Sequence, residues 1–116
     1  MSIINSDTER RKFRRASLDT PLRYKFKQAN EFGSTITRDI SEGGLKLNLE
    51  KFVPINTDFV LELGLDKLSN IINAVGKVVW VTKIPHSERY QLGLEFQEIN
   101  EQHKRDISSY IKSHRF

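Results

Sequence analysis

Five of the chain's nineteen lysines and arginines fall within Arg10-Arg11-Lys12-Phe13-Arg14-Arg15. Arg11 and Arg15 stand four apart, so their side chains share one side whether the segment is extended or helical, and two guanidinium forks can converge on one ligand. A planar guanidinium matches phosphate oxygens and also the O6/N7 edge of guanine. A second group follows downstream, Asp39-Ile40-Ser41-Glu42-Gly43-Gly44. Asp39 and Ser41 are two apart at an expected strand end and face the same way. The carboxylate can accept from N1–H and N2–H2 of a guanine, with a hydroxyl beside it to donate or accept. Gly43 and Gly44 allow positive φ and let the backbone approach a planar base closely. Taken singly, each group has a plainer explanation: a basic cluster that attracts any polyanion, and an ordinary Asx/Ser turn. Together they point to a small anionic nucleotide rather than a catalytic centre.

The totals agree with a binding protein. A chain of 116 residues with 37% hydrophobic content can bury one modest core, so one domain is expected. The net charge of +4 is focused in the arginine cluster, which favours phosphate-bearing partners. The absence of cysteine removes disulfides, thiolate zinc sites and thiol nucleophiles. The first residues are too short and polar for a signal-peptide core, and no run approaches the roughly 18 apolar residues of a membrane span, so a cytoplasmic protein is expected.

Something must hold the two groups in place. Residues 1–17 lack periodicity and read as a flexible arm carrying the arginines, and residues 18–116 as the folded unit. Leu22, Tyr24 and Phe26 alternate with charged residues as a half-buried strand, and a Thr-rich strand runs from Ser34 to Asp39. Leu45, Leu47 and Leu49 make a third strand, Phe59 to Leu65 a fourth, and Tyr90, Leu92, Leu94 and Phe96 the last. Between them, 71–83 is apolar on both parities, so its inward face is not fixed by counting; Gly76 suggests a bend or bulge. Ile99, His103, Ile107, Tyr110 and Ile111 then recur at helical spacing, with Asn100 as N-cap and Glu101 in the first turn. Six strands with no helices between them pair antiparallel and remove their edges by closing into a β-barrel, with the C-terminal α-helix over one opening. The expected class is all-β with a C-terminal helix. Trp80 is the aromatic most expected at the surface.

Arg11-x-x-x-Arg15 followed by Asp39-x-Ser41-x-x-Gly44 resembles the paired signature of the PilZ domain family. Glu9-Arg10, Thr20-Pro21-Leu22-Arg23-Tyr24, Gly76-x-Val78-Val79-Trp80 and Leu92-Gly93-Leu94-Glu95-Phe96 also look like family positions, so the likeness spans roughly residues 9 to 114. It implies a six-stranded antiparallel barrel with a C-terminal helix, and a bacterial receptor for cyclic di-GMP. It also implies that Arg11 and Arg15 meet the ligand's phosphates and guanine faces while Asp39, Ser41 and Gly44 line a guanine pocket. Arg10, Arg14 and Gly43 are added as neighbours of those motifs. A charged residue at position 10 suits a stacked pair of dinucleotides with its four phosphate charges. The resemblance further implies a stand-alone domain whose arm orders over the ligand and which relays the signal to a protein partner.

Competing classes find less support. His86, His103 and His114 have no metal-ligand spacing, Ser41 lacks the preceding glycine of a nucleophile elbow, and there is no Walker-type loop, so neither a cofactor nor an enzymatic activity is expected. The alternatives are a PilZ-like adaptor that binds only protein, and a small basic barrel that binds single-stranded nucleic acid through aromatics.

Overall fold

A computed structural model describes residues 19–37, 39–65 and 70–114. In chain order the elements are β1 (Thr20–Phe26), β2 (Gly33–Thr37), β3 (Gly44–Leu49), β4 (Asp58–Leu65), β5 (Asn70–Lys83), β6 (Tyr90–Ile99) and α1 (Glu101–His114). Their spatial order is β2-β1-β4-β5-β6-β3, and every neighbouring pair is antiparallel. The first and last strands of that order are themselves consecutive along the chain, with the 39–43 turn leading into β3, and the sheet comes round into a nearly closed barrel.

Period-two alternation supplies the inward face. Leu22, Leu47, Phe59, Leu61, Leu63, Leu92 and Leu94 are buried in one cluster, with Tyr24, Phe26 and Phe96 packed against it. On β5, Ile72, Ala74, Gly76 and Val78 are buried, and the parity then changes. Val78 opposes Leu94 and Trp80 opposes Gly93, so Val79 is an extra residue, and Val81 rather than Trp80 continues the inner face. This bulge is why alternation fixed no inward side over 71–83. The expected irregularity at Gly76 is also present, where Val75 pairs with Glu98 and Gly76 with Phe96.

Asn100 caps α1: its Oδ1 accepts from the His103 backbone N–H at 2.7 Å. Ile107, Tyr110 and Ile111 turn into the barrel, and a buried hydrogen bond of 3.1 Å between the Tyr110 hydroxyl and Thr20 Oγ1 ties the helix to the start of β1. His103 is half-buried against β5, and its Nδ1 accepts from the Asn73 N–H at 3.2 Å.

Three expectations need correction. The second strand ends at Thr37, leaving Asp39 in the turn. No glycine has positive φ; among the described residues the left-handed ones are Asn56 and His86, both in turns. Trp80 is half-buried, and the most exposed aromatic among the described residues is Phe52, at 60%. The expected arm over 1–17 lies outside the described residues.

Candidate functional site

The site is organised by a residue that cannot touch a ligand. Ile40 is fully buried and bridges to Leu45, so the 39–43 turn is pinned to the core. With Ile40 inward, Asp39 and Ser41 on either side are turned to the outer surface. The backbone closes around them: the Ser41 N–H donates to Gly44 O at 2.8 Å, the Lys46 N–H to Asp39 O at 3.1 Å, and the Phe96 N–H to Gly43 O at 2.9 Å. The Ser41 hydroxyl accepts from the Gly43 N–H at 3.2 Å and donates to Gly44 O at 3.3 Å. That leaves one lone pair for a further donor.

Gly44 opposes Glu95, and a Cβ built on it would fall on the Leu94 carbonyl oxygen. Glycine is needed here for the close approach of β3 to β6, not for a left-handed backbone. Asp39, Ser41, Gly43 and Gly44 line one cleft of about 230 Å³. The structure therefore brings together all four downstream residues singled out from the sequence. Arg10, Arg11, Arg14 and Arg15 lie outside the described residues.

Sequence reasoning missed several side chains of this cleft, of which Lys46, Glu95 and Trp80 carry charged or aromatic groups. Lys46 reaches Asp39, with Nζ 3.1 Å from Oδ2, and lines the cleft with Trp80. It looked like an outward strand residue alternating with Leu45 and Leu47. Both ionic side chains are about 30% exposed, at 31% and 27%, and a pair this solvated contributes up to about 1 kcal/mol. Trp80 lies across β6 at Gly93, where a Cβ would meet the indole ring. The bulge that breaks the parity of β5 puts the ring there, so no count along the strand could place it. The useful signal was a glycine, Gly93, in an otherwise apolar alternating strand opposite a tryptophan.

A carboxylate, a hydroxyl and an indole around one cleft suit a planar heteroaromatic with N–H donors on one edge. The indole offers stacking, and the carboxylate and hydroxyl offer edge recognition. Among the described residues no group of His, Asp and Glu could hold a metal ion, and no helix is long and apolar enough to cross a membrane.

Comparison with known proteins gives one family and one fold. The family model described as PilZ domain matches residues 9–113. No curated protein sequence matches the chain. Among solved structures, the Bacillus subtilis inhibitor of motility (MotI/DgrA) superposes with a TM-score of 0.75 at 20% identity, covering 90% of this chain and 50% of that one. The PilZ domain of YcgR from Escherichia coli, solved with c-di-GMP, gives 0.68 at 17% identity, covering 90% and 91%. The K. pneumonia MrkH–c-di-GMP complex gives 0.67 at 24% identity, covering 90% and 52%. The chain thus spans about half the length of MotI/DgrA and MrkH and nearly all of the YcgR PilZ domain.

Proposed function

The chain belongs to the PilZ domain family, and from that footing we propose that it is a non-catalytic receptor for cyclic di-GMP that passes the bound state on to a protein partner. The observation that carries this reading is the cleft in which Asp39 and Ser41 face the same space as Trp80. Asp39 accepts from the N1–H and N2–H2 edge of one guanine, Ser41 accepts beside it through its remaining lone pair, and Trp80 covers the face of the base. Gly43 and Gly44 keep the rim clear of side chains. The neighbours solved with the dinucleotide, YcgR and MrkH, support the ligand class.

Lys46 has to give way when the base arrives. Its ion pair with Asp39 is worth at most about 1 kcal/mol, while two hydrogen bonds to an ionised carboxylate return about 1.5–3 kcal/mol each. Exchange therefore favours the ligand.

In this reading residues 1–17 form the arm and 18–116 the barrel unit. Arg11 and Arg15 bind phosphates and guanine faces, with Arg10 and Arg14 adding charge. Ordering the arm costs conformational entropy, which the charge-assisted contacts offset. The ordered arm then presents a new surface to the partner, and Arg10 suits a stacked pair of ligands.

Isothermal titration with cyclic di-GMP, with cyclic di-AMP and GTP as controls, tests the proposal. Selective binding that is lost in Arg11→Ala/Arg15→Ala is the expected result, with two ligands per chain if the pair is bound. No heat at high ligand concentration, together with unchanged amide spectra, would refute the receptor reading and leave a protein-binding adaptor.

A further inference from the structure

A second cleft, of about 730 Å³, opens beside the first, on the seam between β2 and β3. The two share Asp39 and Lys46, so that ion pair is their common wall. The second cleft differs in chemistry. Asn48 and Gln91 line it, Thr37 stands at its edge, and Arg89 reaches it from the β5–β6 turn. With Lys46 and Arg89 against Asp39, its ionic side chains among the described residues sum to +1, and none of the described residues lining it is aromatic.

Arg89 is set up unusually well for an exposed cation. Its backbone is fixed on both sides: its N–H donates to Ser87 Oγ at 3.1 Å, its carbonyl accepts from the Ile84 N–H at 2.8 Å, and Ser87 Oγ donates to Ile84 O at 2.9 Å. Its guanidinium is exposed and forms no ion pair with another described residue. A cation held at its root and free at its head can meet an anion with little ordering cost.

We propose that this second cleft is an anion subsite in which Arg89, with Lys46 released from Asp39, holds a phosphodiester of the nucleotide whose base fills the first cleft. The inference rests on the receptor reading and adds to it residues that lie outside both signature motifs. Release and capture are one event: the guanine edge takes over the Asp39 carboxylate, and Lys46 swings to the neighbouring cleft, where Arg89 and the Asn48 and Gln91 amides complete the anion's surroundings. The shared wall therefore couples base recognition to phosphate recognition.

Titration of cyclic di-GMP into Arg89→Gln, Arg89→Lys and, as a charge-matched control on the far helix, Lys104→Gln tests this at two salt concentrations. Arg89→Gln should weaken binding by about 10-fold or more, the loss of one charge-assisted contact, with a flatter salt dependence. Arg89→Lys should fall between it and wild type, and Lys104→Gln should match wild type. The exposed position keeps all three folded, which far-UV circular dichroism verifies. Arg89→Gln binding within twofold of wild type, or an equal loss in Lys104→Gln, would overturn the subsite while leaving the receptor reading intact. A wild-type protein that binds no cyclic di-GMP would overturn both.

Discussion

Replacing Gly44 with alanine tests why a glycine closes the 39–44 motif. The new methyl would fall on the Leu94 carbonyl oxygen and within 3.1 Å of Glu95 Cα, both backbone atoms of the paired strand, so β3 and β6 must part. Such overpacking costs about 1–3 kcal/mol. Alanine also restricts the unfolded chain, returning about 0.4–1 kcal/mol because no positive φ opposes it. The net loss is about 1–2 kcal/mol, or roughly 4–8 °C in Tm for a domain of this size. Gly76→Ala is the matched control. It is the same change in a strand glycine, but the nearest obstacle is the Leu61 Cδ1 methyl at 2.9 Å, which can move, and the next atoms stand at 3.5 Å or beyond. Gly76→Ala should melt within about 2 °C of wild type, since the side-chain adjustment and the entropy gain nearly cancel. Thermal unfolding followed by circular dichroism gives both values. If Gly44→Ala melts like wild type, or Gly76→Ala loses more than Gly44→Ala, the close-approach explanation is wrong.

Two further outcomes follow from the same geometry. Gly93→Ala should push the Trp80 indole off β6; as Trp80 is the single tryptophan, its emission should shift to the red and cyclic di-GMP affinity should fall several-fold, whereas an unchanged spectrum would mean that the ring does not rest there. Asn100→Ala removes the cap on the His103 N–H and should cost about 1 kcal/mol, seen as a lower urea midpoint with an unchanged slope; a full-strength helix signal at the wild-type midpoint would count against the cap.

The barrel was legible wherever one parity was apolar and the other charged. Leu45, Leu47 and Leu49, or Leu92 and Leu94, face inward as alternation requires, and the helix began at Asn100 because a side-chain acceptor there meets the first free N–H groups. That Asp39 and Ser41 share a face was legible from their spacing, since they flank a buried isoleucine and line one cleft. What escaped was whatever depends on contact between distant strands. Trp80 reaches the cleft through a bulge that shifts the register by one residue, and Gly44 was assigned a conformational role although its need is steric. Lys46 read as an ordinary solvated charge because only the turn geometry reveals its partner.

The fastening between β2 and β3 sets how the barrel breathes. Among the described residues these strands share no ladder; they are held near the turn by the Ile40–Leu45 bridge, the Lys46 N–H to Asp39 bond and the Thr37 Oγ1 to Lys46 carbonyl bond of 2.7 Å. By contrast, β5 is bonded along its length to β4 and then to β6. Amide exchange should therefore be slowest along β5 and fastest along the β2–β3 seam, because opening the seam breaks few bonds and leaves the rest of the sheet intact. The second cleft lies on that easily opened line and shares Asp39 and Lys46 with the first, so an occupant bridging the two would act as a clasp. It would slow exchange locally far more than it raises the melting temperature of the whole domain.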